Sequence, residues 1–335
     1  MDIGIIANPA SGKDIRRLTA QASVFDNQEK SAIVRRCLAG IQALAPRACI
    51  HFFPDTHNIV SAALARAELD SLPLAMELTG TSEDSTQAAK RMPRLDALIS
   101  LGGDGTNRAI AKAELDVPLI ALSTGTNNAF PTLCEATSAG MATALIAARK
   151  IPLESIAPKT KAIHLRFASG EEDLALIDVV GTVDRFMGTR ALLEPRNWRF
   201  AILSVADPSK VGMTAVGGLA HPVTANDEMG LHLVFSGQLS DTTRTAEVLA
   251  PVAPGIVKRV QLEEIHHLPC GETIRLRGVT MLAFDGERER IINAQEDIEI
   301  WVARDGPRRV DIAACLRYRS RFNEQQQVQV KSYAF

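Results

Sequence analysis

The first 150 residues alternate short apolar runs with longer segments in which apolar residues recur every three or four positions. The apolar runs are four to seven residues long, and each is followed by a polar residue, Gly or Pro. Such runs are typical of strands buried on both faces of a parallel sheet. The predicted strands are Ile3–Ala7, Cys49–Phe53, Leu72–Leu78, Ala97–Leu101 and Leu119–Leu122.

Helices are predicted between these strands, because each intervening segment has one apolar face. The predicted helices are Gln28–Ala45, Thr56–Ala67, Ser82–Met92, Asn107–Glu114 and Ser138–Arg149. Alternation of strand and helix predicts right-handed crossovers, with helices on both faces of the sheet. Residues 1–150 are therefore predicted to form an α/β, Rossmann-like domain.

The pattern changes from about residue 160, where strand-like runs dominate and many alternate with a period of two. Alternation of this kind suits antiparallel sheets with one face in water, and it predicts a β-sandwich over residues 151–305. The predicted strands are Ala162–Ala168, Leu174–Val183, Arg199–Val205, Leu231–Phe235, Val257–Leu262, Thr273–Arg277, Thr280–Phe284 and Ile298–Ala303. The pattern alone does not assign the tail, residues 306–335, to either domain.

Composition excludes several classes of protein. The 335 residues include 37 Lys and Arg against 39 Asp and Glu, a net charge of −2, so no basic surface for nucleic acid or anionic membrane is expected. Five cysteines without a C-x-x-C spacing indicate a reducing compartment, and argue against a disulfide framework or a zinc site. With no signal peptide and no apolar run of about 18 residues, we expect a cytoplasmic protein.

The strongest chemical signal is Gly102-Gly103-Asp104-Gly105-Thr106, between a predicted buried strand and a predicted helix. Ligands in open α/β sheets bind beyond the carboxyl ends of the strands, where glycine amides and a helix N-terminus can hold phosphate. An acidic Asp104 in such a cradle would repel phosphate, so it indicates a magnesium ion or a proton taken from a hydroxyl. The alternative is a tight strand-to-helix turn with Asp104 as the helix cap.

Two further segments follow predicted strands. Asn8-Pro9-Ala10-Ser11-Gly12-Lys13 lacks the spacing of a P-loop, and Thr124-Gly125-Thr126-Asn127-Asn128 offers hydroxyls and amides for a nucleotide. Taken alone, either segment could be an ordinary loop. The dinucleotide fingerprint G-x-G-x-x-G is absent from the sequence, which counts against a dehydrogenase.

Together these motifs resemble those of the NAD kinase and diacylglycerol kinase superfamily, and the combination looks most like the ATP-NAD-kinase-like acetoin-catabolism X protein group. The resemblance also includes Thr79-Gly80-Thr81-Ser82-Glu83, Asp285-Gly286-Glu287 and, loosely, the segment Pro222–Leu231. It spans nearly the whole chain. It implies a two-domain kinase with ATP and Mg²⁺ between an α/β nucleotide-binding domain and a β-sandwich, a carboxyl-terminal segment that returns to the first domain, and a homo-oligomer.

The resemblance also implies roles for individual residues. Asp104 is the proposed base, and Glu287 a second catalytic acid near the transferred phosphate. Asp227 and Asp285 are candidate magnesium ligands, although Asp285-Gly286 alone would be taken for a hairpin turn. The nucleotide site is implied to include Asn8, Thr79, Gly102, Gly103, Gly105, Thr106, Gly125, Thr126 and Asn128.

One departure weakens the named substrates. Where the superfamily usually carries an Asn-Glu pair in or near this motif, the chain has Asn107-Arg108. The expectation is therefore an ATP-dependent kinase that phosphorylates a hydroxyl of an unidentified small molecule, with NAD or a lipid as alternatives. A nucleotide-binding regulatory protein without turnover is the competing hypothesis. Segments 188–191 and 212–218 are candidate acceptor loops, with Arg190 a candidate anion ligand.

Overall fold

The computed structural model describes residues 1–12, 25–125, 128–184, 194–236 and 246–324. Six parallel strands form the first sheet, in the order β3-β2-β1-β4-β5-β17. Their bounds are β1 Asp2–Ala7, β2 Cys49–Phe52, β3 Asp70–Pro73, β4 Ala97–Gly102, β5 Pro118–Ser123 and β17 Arg308–Arg309. This order reverses direction between β1 and β4, as in doubly wound nucleotide-binding folds.

Helices cover both faces of this sheet. They are α1 Asn27–Leu44, α2 Ile59–Leu64, α3 Glu83–Arg91, α4 Asp104–Ala111, α5 Ala136–Ala147 and the short α6 Leu153–Ile156. Helices α1 and α5 pack so closely that a Cβ at Gly140 would collide with the Cys37 carbonyl. On the other face, α3 and α4 share an apolar cluster with Leu174, Leu176 and Ile177 of the second domain. The second domain therefore packs against the face that carries α4.

The third predicted strand was wrong in extent and burial. Strand β3 ends at Pro73 and is exposed along its length, since it forms the edge of the sheet. After Pro73 the chain leaves the sheet, and Leu74 and Met76 pack against the apolar cluster under α3 instead. Proline at an edge strand costs no ladder hydrogen bond, which is consistent with this placement.

The second domain is a sandwich of two antiparallel sheets, with seven strands in the order β11-β12-β10-β9-β8-β14-β15 and four in the order β13-β16-β6-β7. Residues such as Leu165, Ile202, Leu282 and Ile300 fill the space between the sheets. The strands are β6 Ala162–Phe167, β7 Glu172–Ala175, β8 Asp178–Thr182, β9 Trp198–Leu203, β10 Met229–Phe235, β11 Ala246–Ala253, β12 Ile256–Pro269, β13 Thr273–Leu276, β14 Met281–Phe284, β15 Glu287–Ile291 and β16 Ile298–Ala303.

Several elements of this domain differ from the prediction. The run Leu174–Val183 is two strands in different sheets, β7 and β8, because the chain turns at Leu176-Ile177. Segment 212–218 is not an acceptor loop, since Met213–Ala220 forms helix α7 and Met213–Gly218 are buried. Strands β11 and β15 were not predicted. Arg190 lies outside the described residues.

The carboxyl-terminal segment returns to the first domain. Strand β17 pairs in parallel with β5, and helix α8 (Ile312–Glu324) contacts α5. The predicted architecture, a Rossmann-like domain, a β-sandwich and a returning segment, is therefore confirmed. Among the helices of the described residues, none is both long enough and apolar enough to cross a membrane.

Candidate active site

Three loops meet at the carboxyl edge of the first sheet, at the point where the strand order reverses. They follow β1, β4 and β5, whose last residues align in register as Ala7 with Leu101 and Gly102 with Ser123. The backbone N–H of Asn8 donates to the Leu101 carbonyl at 3.0 Å, which joins the first two loops. This is the position at which open α/β sheets bind their ligands.

The three glycines after β4 have different surroundings. A Cβ at Gly102 would collide with the Thr106 side chain, and one at Gly103 would lie 2.8 Å from Asn128 Oδ1. Gly105 is exposed, and among the described residues no heavy atom outside its chain neighbours and the backbone of its own helix lies within 4 Å of the Cβ position there. Packing therefore requires the first two glycines, whereas Gly105 leaves the N-terminal turn of α4 open to a phosphate.

Helix α4 begins at Asp104, three residues earlier than predicted. The half-buried Asp104 carboxylate accepts hydrogen bonds from the amides of Ala129, at 3.0 and 3.1 Å, and Phe130, at 2.8 Å. The Phe130 carbonyl in turn accepts from Arg309 Nη1 at 2.7 Å. Asp104 and the returning segment thus hold the loop after β5 from two sides.

Side-chain hydrogen bonds fix the glycine turn to the sheet. Asn107 donates through Nδ2 to the Gly103 carbonyl at 2.8 Å, and its Oδ1 accepts from Ser100 Oγ at 2.6 Å. Asn8 donates through Nδ2 to Thr106 Oγ1 at 2.9 Å. Asn8 and Thr106, both predicted at the nucleotide site, are therefore in direct contact.

Lys30 is a site residue that the sequence analysis missed. Its side chain is fully buried, and Nζ donates to the carbonyls of Asn8, Pro9 and Ser11 at 3.0, 3.0 and 2.7 Å. The loop after β1 is thus shaped around a buried ammonium group. A signal was available, since Lys30 lies three residues before Ile33, on the apolar face of the predicted helix.

Arg108, the residue that departs from the Asn-Glu pair, joins the two domains. Its Nη2 donates to Asp173 Oδ2 at 2.9 Å and its Nε to the Leu174 carbonyl at 2.5 Å. The guanidinium also lies 4.2 Å from the centroid of the Phe284 ring. The side chain is 4% exposed, so this is a buried contact between α4 and the second domain.

Asp285 occupies a hairpin turn and is buried beside the same interface. Positive φ values of 48° at Asp285 and 81° at Gly286 are those of a type I′ turn between β14 and β15. The carboxylate accepts from the amides of Leu176, Ile177 and Asp178, with a shortest distance of 2.7 Å. Burial raises the pKa of Asp285 to about 8; Arg108 lowers it, while the charges of Asp178 and Asp104 raise it further.

The two predicted magnesium ligands lie in different environments. The carboxylate oxygens of Asp285 accept hydrogen bonds from backbone amides, and the residue is 6% exposed, so a metal ion cannot reach them in this structure. Asp227 accepts from the Thr224 amide at 2.6 Å, and this bond lowers the pKa of Asp227 below its usual range. Its charged neighbours are Lys161 and Arg304, in the second domain. Asp227 is thus held by its own loop, and its role as a magnesium ligand stays a prediction.

The remaining predicted residues surround the glycine turn less closely or cannot be placed. Thr79 is exposed in the segment four residues before α3, and its hydroxyl donates to Asp84 Oδ1 at 2.7 Å. Asn128 Nδ2 donates to Ser123 Oγ at 2.7 Å, and Ser123 Oγ to the Gly125 carbonyl at 2.5 Å. Thr126 and the Glu287 side chain lie outside the described residues.

Known proteins resemble both halves of the chain. A family model of the ATP-NAD kinase N-terminal domain matches residues 3–151, and one of the acetoin catabolism protein X C-terminal domain matches residues 161–305. Acetoin catabolism protein X of Cupriavidus necator is 33% identical over an alignment of 335 positions. The alignment covers 95% of this chain and 92% of that protein. Yeast NADH kinase in complex with NADH superposes with a TM-score of 0.54 at 13% identity, over 99% of this chain and 90% of that one; this similarity shows the fold alone.

Proposed function

The chain belongs to the acetoin catabolism protein X family, and from that premise we propose that it is an ATP-dependent kinase acting on a hydroxyl group of a small molecule. The observation that carries the proposal is the open backbone at Gly105, in the first turn of α4 and next to Asp104. A helix N-terminus with exposed amides favours bound phosphate, and the adjacent carboxylate supplies a group able to accept a proton.

The nucleotide phosphates are proposed to bind along the backbone from Gly102 to Thr106. Asn8, Thr79, Gly125, Thr126 and Asn128 are proposed to line the rest of the nucleotide site. Mg²⁺ fits this arrangement as an ion that arrives with the nucleotide, because Mg²⁺ usually keeps several waters and binds one or two carboxylates together with substrate phosphates. It would neutralise charge on the transferred phosphoryl group.

Asp104 is proposed to accept the proton of the acceptor hydroxyl, with Glu287 as a second acid nearby. The same Asp104 carboxylate accepts hydrogen bonds from the amides of Ala129 and Phe130. In this proposal it therefore positions both the loop after β5 and the substrate. Arg309 donates a hydrogen bond to the Phe130 carbonyl, so the returning carboxyl-terminal segment also holds the loop after β5 in place. Phosphoryl transfer depends mainly on such positioning and on electrostatic stabilisation.

The acceptor is proposed to be a metabolite in solution, with NAD or NADH as the first alternative. A net charge of −2 gives little attraction to an anionic bilayer, which makes a membrane lipid the least favoured acceptor. We also propose that the chain forms a homo-oligomer, as the family resemblance implies.

A nucleotide-binding regulatory protein is the second candidate, and one observation favours it. The carboxylates of Asp104 and Asp285 both accept hydrogen bonds from backbone amides, so each stabilises the fold whether or not the protein catalyses a reaction. In this alternative the glycine turn binds nucleotide, and the bound state alone changes the behaviour of the protein.

Incubation with γ-labelled ATP, Mg²⁺ and a pooled metabolite extract, with separate NAD and NADH reactions, tests the proposal. A kinase transfers label to a product that is absent without protein. ATP binding by calorimetry without any labelled product would support the regulator and overturn the kinase. Absence of both binding and transfer would overturn both candidates.

A further inference from the structure

A second group of chemically reactive side chains lies at the amino edge of the first sheet, opposite the candidate active site. Asp2 begins β1, and Cys49 and His51 lie on the neighbouring strand β2. The register pairs Asp2 with Cys49 and Gly4 with His51. Because side chains alternate along a strand and register partners in a sheet share a face, all three side chains project from the same face.

The potential ligand atoms of these residues are close enough to share one ion. One carboxylate oxygen of Asp2, Cys49 Sγ and one ring nitrogen of His51 all lie within 4.8 Å of one another, and His51 Nε2 is 2.8 Å from Asp2 Oδ1. Ligands of a tetrahedral zinc ion are about 3.4–3.6 Å apart, given Zn–N, Zn–O and Zn–S bonds of about 2.0–2.3 Å. The Asp2–His51 distance is shorter than this spacing and the other distances extend to at most 4.8 Å, so the side chains would have to rotate when an ion binds.

Burial and charge also favour a cation here. His51 is 9% exposed and therefore held in place, while Asp2 and Cys49 are half-buried and accessible from one side. Asp70, the register partner of Cys49 on β3, adds a second carboxylate. Asp2 and Asp70 are the register partners of Cys49 on its two neighbouring strands, so two carboxylates lie at this edge of the sheet and attract a cation.

We propose that Asp2, Cys49 and His51 form a binding site for a divalent transition metal ion of the Zn²⁺ type. Thiolate, imidazole and carboxylate together suit Zn²⁺, whereas Mg²⁺ prefers oxygen ligands alone. Binding releases the Cys49 thiol proton to solvent and leaves His51 neutral, with Nε2 free of its proton. The fourth position belongs to water or to Asp70.

The proposed ion is structural, because the site is far from the glycine turn. The six residues of β1 separate the two edges of the sheet by about 20 Å at 3.3 Å per residue. A bound ion would tie β1 to β2 through their side chains, in addition to the backbone ladder. These ligands come from two strands, so the spacing of residues along the chain did not predict a zinc site.

Zinc titration of the untagged, chelator-treated protein tests the proposal without nucleotide or Mg²⁺. Calorimetry is expected to give one Zn²⁺ per chain, and the melting temperature is expected to rise with free Zn²⁺ because the ion binds the native state. Alkylation followed by mass spectrometry provides a readout within the unaltered protein. Zn²⁺ should slow modification of Cys49 at least tenfold, while the exposed Cys134 reacts at the same rate with and without the ion.

Variants identify the ligands. Cys49→Ser and His51→Gln are each expected to weaken Zn²⁺ binding at least tenfold, whereas the control Cys134→Ser binds as the parent chain does. The proposal is overturned if the parent chain binds no Zn²⁺, or if Zn²⁺ leaves Cys49 alkylation unchanged. The alkylation result decides the matter even if a variant at the buried His51 fails to fold.

Discussion

Arg108 and Asp173 form a buried ion pair between the two domains, with Nη2 and Oδ2 2.9 Å apart. Lys112, one turn further along the chain, reaches Oδ1 of the same carboxylate at 2.8 Å but is 36% exposed. Asp173 therefore forms two ion pairs, one with the buried Arg108 and one with the half-exposed Lys112. Arg108 thereby fastens the last turn of α4 to the sandwich.

Replacement of the buried cation should cost much more stability than replacement of the exposed one. We expect Arg108→Met to lower the free energy of unfolding by about 3 kcal/mol, because it leaves Asp173 and the Leu174 carbonyl short of donors in a buried interface. Lys112→Met is the matched control and should cost less than about 1 kcal/mol. Denaturant unfolding measures both; equal losses would contradict the assignment of Arg108 as the main link.

Gly105→Ala should separate ligand binding from folding. Outside the chain neighbours and the backbone of α4, no described residue has a heavy atom within 4 Å of the new Cβ, so stability should stay the same or rise by up to about 1 kcal/mol, as for a helical glycine replaced by alanine. The methyl group projects from the surface proposed to hold phosphate, and we expect ATP affinity to fall at least tenfold. Calorimetry and thermal unfolding measure the two effects.

The exposed Lys90→Ala in α3 is the helical control for Gly105→Ala and should change neither quantity. A Gly105→Ala variant that binds ATP as the parent chain does would show that the phosphates lie elsewhere. Gly103→Ala is unsuitable for this purpose, since its Cβ would lie 2.8 Å from Asn128 Oδ1 and disturb the loop directly.

Two substitutions of Asp104 should distinguish proton transfer from loop positioning. Asp104→Asn retains one acceptor oxygen for the Ala129 and Phe130 amides but is a poor base, so turnover should fall at least about a hundredfold with little loss of ATP affinity. Asp104→Ala removes the acceptor as well and should also weaken ATP binding. If Asp104→Asn keeps full turnover once a substrate is known, Asp104 is not the base.

Asp285 should make the protein less stable as the pH rises. Its pKa is raised to about 8 in the folded state from 3.8, so between these values the folded state holds a proton that the unfolded state has released. Stability therefore falls with increasing pH across this window. We expect Asp285→Asn to abolish this contribution, so that the stability of the parent chain relative to the variant declines from about pH 4 to about pH 8.

Asp227→Asn provides a control of opposite sign. The Thr224 amide lowers the pKa of Asp227, so its contribution to stability is present above the ordinary aspartate range and is lost as the pH falls below it. Urea unfolding at a series of pH values measures both variants. A pH-independent difference between Asp285→Asn and the parent chain would contradict the raised pKa.

The sequence predicted those elements that neighbouring residues along the chain are enough to define. Alternating apolar strands and amphipathic helices predicted the α/β domain, and the glycine motif predicted the turn at the end of β4. The sequence could not show that Leu174–Val183 is broken, because the break depends on Asp285, which is more than 100 residues away and binds the amides of Leu176 and Ile177. The position of Lys30 on an apolar helix face was a local signal, but its carbonyl partners belong to another loop, so the sequence did not show what the side chain binds.

The family resemblance implied Asp285 and Asp227 as magnesium ligands. In the structure the Asp285 carboxylate is buried among backbone amides, whereas Asp227 lies near Lys161 and Arg304 and its role as a ligand stays a prediction. The spacing of the cysteines argued against a zinc site, yet parallel register places Cys49 and His51 near Asp2. Ligand sets assembled from neighbouring strands have no fixed spacing along the chain, so only the fold reveals them.

The pairing of β17 with β5 has a consequence for biosynthesis. The sixth strand of the first sheet, Arg308–Arg309, is translated after the whole sandwich, so the nascent first domain exposes β5 as an unprotected edge while about 185 further residues are made. At about 5–20 residues per second, that interval lasts on the order of ten to forty seconds. Ribosome-bound chains that end before residue 308 should therefore need chaperone protection that the released chain does not.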